Sequence, residues 1–170
     1  MNSREATRQW VENFVVRLGL CPFAARPLRE GRVRYEQCPA ETAEEAFYWS
    51  MGRIQNLVGE PRESVETELI VFPETLNYFP DFLDFVEEIE EVLASSGAES
   101  LVQLAHFHPD YCFAGLEPED PANTTNRSPH PVLQLLRVEG VAEAVAGYPD
   151  VDAIPERNIS LLRRLAAEGR

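Results

Sequence analysis

Three apolar stretches of this chain each stop at a proline: RVRYEQC before Pro39, ELIVF before Pro73 and LVQLAHFH before Pro109. Proline gives no hydrogen to a sheet ladder and holds the preceding residue extended, so all three read as clean strand ends. RVRYEQC alternates polar and apolar positions, as a half-exposed strand does. ELIVF is apolar almost throughout, as in a strand buried on both faces. Helical spacing fills the intervals. Trp10, Val11, Phe14, Val15 and Leu18 follow Ser3 as N-cap and end at Gly19. Phe47, Met51, Ile54 and Val58 follow the capping box TAEE (42–45) and end at Gly59. Phe82, Val86, Ile89 and Leu93 mark a third helix from about Pro80 to Ser95, whose EEIEE stretch reads as its solvated face.

The order α-β-α-β-α-β favours parallel pairing through right-handed crossovers. The expected fold is α/β: a two- or three-layer sheet of about three to four strands, with an N-terminal helix and a helical C-terminus. An α+β arrangement with a mixed sheet is the alternative. One domain over residues 1–170 is expected, because the chain has no repeat or long linker and is long enough to bury a core unaided. In the helical C-terminus, Ser128 is expected to cap a helix that starts at Pro129 and carries VLQLLR. A further turn runs to Gly147, and the last helix starts at Pro155. A parallel sheet would set the three proline stops on one rim, where ligands bind in open α/β sheets. Cys38, Glu74, His106 and His108 would then gather there.

The net charge is −14 and all 15 basic residues are arginine, a balance that argues against nucleic acid or an anionic membrane as partner. A small anion in a local basic pocket remains compatible with it. No apolar run reaches membrane-spanning length, and no apolar h-region follows the N-terminal charges. Three widely spaced cysteines form no disulfide framework, which points to a reduced, cytoplasmic protein.

Three motifs carry candidate chemistry. In HFHPDYC (106–112), His106 and His108 leave one face of a strand about 7 Å apart, a workable spacing for two imidazoles on one metal. Asp110, Cys21, Cys112 or His130 could add ligands. His106 shares its face with Val102 and Leu104, so a core histidine is the competing reading. In NRSPHP (126–131), the free N–H groups of a helix start at Ser128 suit a phosphate or carboxylate, and Arg127 could clamp the same anion. A plain capped helix whose arginine pairs with a carboxylate competes with that. In CPFA (21–24), a cysteine at a helix N-cap would have a stabilised thiolate. A small buried cysteine is its bland counterpart. CPFA also occurs in glutaredoxin-like thiol transferases, but there it follows a strand; here it follows a helix, and that kinship is rejected.

Together GLCPFA (19–24), FHPDYCF (107–113) and NRSPHPVLQLLR (126–137) resemble a bacterial family catalogued as domain of unknown function 1415, across nearly the whole chain. The family carries no assigned reaction, so the resemblance implies a single domain and directs attention to these motifs. It implies that Cys21, His108, Tyr111, Asn126, Arg127 and Ser128 match the family pattern. His106 and His130 stand where serine and tyrosine are usual, which favours His108 acting alone.

One function is therefore expected, with two alternatives to it. It is a small-molecule enzyme for an anionic substrate. Asn126, Arg127 and Ser128 would bind it, His108 would be the acid or base, Cys21 the nucleophile, and Tyr111 or Asp110 would orient the imidazole. The first alternative is a metal-binding protein using His106, His108 and a cysteine. The second is a non-catalytic ligand- or partner-binding module in which His108, Asn126 and Arg127 bond backbone and stabilise the 109–127 loop. Neither a cofactor nor an oligomeric state is legible.

Overall fold

A computed structural model of the chain describes residues 1–169. Helix α1 (Ser3–Trp10) continues as a π-helical stretch over Val11–Val16 and turns at Gly19 (φ 65°). Its N-cap is Asn2, one residue before the expected Ser3: the Asn2 side chain accepts from the Glu5 amide. A short α2 (Ala25–Arg29) leads to β1 (Val33–Gln37). Then follow α3 (Ala43–Gly59), β2 (Thr67–Val71), α4 (Phe79–Ser96) and β3 (Val102–Phe107). The Thr42 hydroxyl accepts from the Glu45 amide at 3.2 Å, as the capping box predicts.

The largest departure from expectation lies after Ser128. VLQLLR is a strand, β4 (Val132–Arg137), and no helix begins at Ser128. The helices that end the chain are α5 (Val138–Ala146) and α6 (Ile154–Ala167). The strand order is β1-β2-β4-β3; β1 and β2 are parallel, and β4 runs antiparallel to both β2 and β3. The sheet is therefore mixed. β1, β2 and β3 still point the same way, so Pro39, Pro73 and Pro109 do share one rim.

Alternation along the strands assigns the two faces. Ile70, Phe72, Leu133, Leu135 and Val102 join Phe82, Phe85, Val86 and Ile89 of α4 and Ile54 and Leu57 of α3 in the main core. Leu69, Val71 and Val132 pack on the other face against Val11, with Trp10 and Phe107 at its border. The result is a sheet between helical layers. Glu68 of β2 is fully buried, held by the Arg53 guanidinium through two bonds of 2.8 Å and by Arg34. Among the described residues no helix is long and apolar enough to cross a membrane.

Candidate functional site

The mixed sheet gives the motif-rich segment its role in the fold. β3 and β4 are antiparallel neighbours, so residues 108–131 are the connection of one wide hairpin. A loop of that length with no helix or strand beyond one 3-10 turn must find internal partners for its backbone or remain open to water. Here it finds many of them in side chains of HFHPDYC and NRSPHP.

Asn126 closes the neck. Its amide nitrogen donates to the His106 carbonyl at 3.1 Å, and its own carbonyl accepts from the His108 amide at 3.0 Å. Arg127 crosses the loop, with Nε donating to the Tyr111 carbonyl at 2.9 Å and Nη2 to the Pro118 carbonyl at 2.7 Å. Ser128 is buried, and its hydroxyl donates to the His130 carbonyl. The helix start expected at Ser128 as part of an anion clamp with Asn126 and Arg127 is absent, because VLQLLR is a strand. The arginine fork instead grips two backbone carbonyls.

His108 is fully buried at the rim. Its Nδ1 accepts the Asp110 amide at 3.0 Å, which leaves the hydrogen on Nε2 to be donated to the Leu76 carbonyl, also at 3.0 Å. Leu76 adopts φ 66°, a left-handed conformation that leucine rarely takes, in the turn between β2 and α4. Burial holds the imidazole below its ordinary pKa. Both ring nitrogens are hydrogen-bonded to backbone, one to the Leu76 carbonyl and one to the Asp110 amide. Asp110 orients the ring through its amide, and the Tyr111 side chain is not one of the ring's partners.

His106 faces the same side and stands in an aromatic cluster, stacked on Tyr111 at 5.6 Å and set edge-on to Phe82 at 6.3 Å. Phe79 lies 5.0 Å from Tyr111 and 5.2 Å from His108, and Phe113 lies 4.9 Å from Tyr111. Burial lowers the His106 pKa, and among the described residues its Nδ1 has no partner. The two histidines do share a face, but as a packed aromatic layer rather than a ligand pair. Among the described residues no group of three or more His, Cys, Asp and Glu side chains could hold a metal ion.

Cys21 is not a helix N-cap; α2 begins at Ala25 with Ala24 as cap. Burial pushes its thiol up, outweighing the backbone N–H groups of Phe23 and Ala24 that pull it down. The turn is tied to the C-terminus: Asn158 of α6 donates to the Leu20 carbonyl at 2.7 Å, and Phe23 meets Tyr148 edge-on at 5.5 Å. The same helix reaches the wide loop through Arg163, paired with Asp120 at 2.7 Å. GLCPFA and the loop are therefore two surfaces on which α6 docks. At the rim, Cys38 is buried in the main core and Glu74 is exposed.

Sequence reasoning missed Asn123. It is fully buried, accepts from the Phe113 amide at 2.9 Å and donates to the Glu117 carbonyl at 2.8 Å. It sits in a 3-10 turn, Pro121–Asn126, which Asp120 caps by accepting from the Ala122 amide. The signal is in the sequence: Asp120-Pro121 is the same cap-then-proline pair as Ser128-Pro129.

A family model described as Protein of unknown function (DUF1415) matches residues 2–170. No curated protein and no solved structure matches the chain.

Proposed function

The chain belongs to the family described as Protein of unknown function (DUF1415), and for this member we propose a non-catalytic partner-binding module rather than an enzyme with a Cys/His/Arg centre. One observation carries the reading. The polar groups of His108, Asn123, Asn126, Arg127 and Ser128 are bonded to the protein's own backbone within and beside one loop. A catalytic group must be within reach of a reacting atom, and an anion clamp must present donors to solvent. These residues instead stabilise a surface element, as the module reading requires. The raised Cys21 thiol agrees, because a nucleophilic cysteine needs a depressed pKa. A cytoplasmic location belongs to the same proposal, supported by three cysteines that are all free thiols.

Two measurements test the reading. Alkylation of Cys21 by iodoacetamide, followed by peptide mass spectrometry against pH, should rise only above the ordinary thiol range. Thermal unfolding in phosphate or citrate, against chloride at matched ionic strength, should show no saturable stabilisation that depends on Arg127. A Cys21 rate already at plateau below neutral pH would restore the enzyme. Phosphate stabilisation abolished by Arg127→Ala would do the same.

A further inference from the structure

Among the described residues the sheet has two open edges, and β1 is one of them, paired there with β2 alone. The Arg32 carbonyl accepts from the Glu66 amide and the Cys38 amide donates to the Val71 carbonyl, both at 2.8 Å. Alternation therefore turns the N–H and C=O groups of Val33, Tyr35 and Gln37 away from β2. That outer edge forms the floor of a groove of about 520 Å³, lined by residues 31–36 in unbroken succession, by Arg4, Glu5 and Arg8 of α1, and by Ser64 and Val65. A run of consecutive strand residues lining one groove means that the strand presents its edge to it.

The charges of the groove are not equivalent. Arg32 is tied to Glu30 and Glu66, and Arg34 to Glu60 and Glu68. Arg4 and Arg8 are exposed; Arg4 has no partner among the described residues, and Arg8 pairs with Glu12, one turn on, with the Glu5 carboxylate also near it. Two cations one helical turn apart are separated by about 6 Å along α1. Alternate side chains of an extended strand are separated by about 7 Å.

Resting on the module reading above, we propose that the β1 edge is the partner site, and that it takes an extended acidic peptide segment as an added strand. Backbone of the segment bonds Val33, Tyr35 and Gln37, and acidic side chains at every second position meet Arg4 and Arg8. A small anion would satisfy the arginines but not the alternating edge donors and acceptors. Only a peptide matches both.

The test is fluorescence anisotropy with a labelled, N-acetylated octapeptide in which glutamate alternates with threonine, together with two derivatives N-methylated at alternate amides in opposite registers. The proposal expects saturable binding by the parent peptide and retention by one N-methylated register. It expects loss in the other, and weakening by about tenfold or more in Arg4→Glu/Arg8→Glu. Circular dichroism of that variant should match the wild type, since both side chains are exposed. Absence of saturable binding, or equal binding by both N-methylated peptides, would overturn it. So would concentration-dependent self-association that the same double variant abolishes without any peptide binding, which would assign the edge to a second copy. Failure here leaves the Cys21 and Arg127 measurements unmoved, so the site and the module reading fail separately.

Discussion

The His108 imidazole and the Leu76 carbonyl, 32 residues apart in sequence, meet at 3.0 Å in the interior. That contact joins the end of β3 to the left-handed turn before α4, and it gives a fully buried imidazole nitrogen its partner. Leucine at φ 66° is a costly conformation that persists only where its surroundings fix it. The Nε2 hydrogen of His108 is one of the groups that do so.

Acid should therefore weaken the fold as pH falls below 6.5. Burial holds the His108 and His106 pKa values below the ordinary 6.5, so between the folded and unfolded values the unfolded chain binds more protons. The stabilisation is full above pH 6.5 and is lost as pH falls through the folded values. Protonation of His108 would also remove the acceptor of the Asp110 amide. Melting temperature measured from pH 8 to pH 5 should decline below 6.5, and His108→Ala should reduce that slope while lowering stability at pH 8. An unchanged slope in His108→Ala would remove His108 from the explanation.

Arg127→Ala should destabilise by about 2 kcal/mol, the loss of two charge-assisted bonds to carbonyls, with the Tyr111 carbonyl left to water and the Pro118 carbonyl to a 3.5 Å bond from Asn123. For a chain of this size that is a fall of roughly 4–8 °C in melting temperature. Arg127→Lys should recover little of it, because a single ammonium cannot span both carbonyls. Full recovery by lysine would mean that charge, not the fork, is what matters.

Much of this architecture was legible beforehand, and the parts that were not share a cause. The proline stops gave three strands of common direction, and Thr42 and Gly59 bounded α3 as read. VLQLLR misled because β4 lies in the middle of the sheet with β2 and β3 on its flanks, where burial on both faces erases the alternation that marks a strand. Its leucines then fit helical spacing equally well, and Ser128-Pro129 looked like a cap. The candidate residues of NRSPHP inherited that error, since an anion site at Ser128 needed the helix. Of the HFHPDYC pair, the shared face was readable from strand periodicity. The backbone partners of His108 were not, because Leu76 and Asp110 reach it through groups every residue possesses.

Gly140 supplies a separate test of close packing. A Cβ there would stand 1.8 Å from Glu66 Oε1, whose carboxylate also binds Arg62 and Arg32. Gly140→Ala should therefore cost about 1–3 kcal/mol by displacing that carboxylate from its two guanidiniums. In a Glu66→Ala background the same change should be nearly neutral, giving a clear coupling energy in a double-mutant cycle. Additivity would show that Gly140 serves some other constraint.

Glu68→Ala should be among the most damaging single changes, at about 3 kcal/mol or more, because it leaves the Arg34 and Arg53 guanidiniums facing a buried void. Urea unfolding measures it directly. A cost below 1 kcal/mol would mean that the two arginines find other partners.

The central claim is that residues 108–131 form a closed, internally bonded loop and not an open reactive site. Residue-resolved hydrogen exchange tests this most directly. The amides of His108, Asp110, Tyr111, Phe113, Asn123 and Arg127 each have an acceptor within the loop or at its neck. They should be protected to a degree approaching that of β3, and Arg127→Ala should release those around Tyr111 and Phe113 first. Exchange of all six at unprotected rates in the wild type would contradict the account and return the loop to the candidates for an active site.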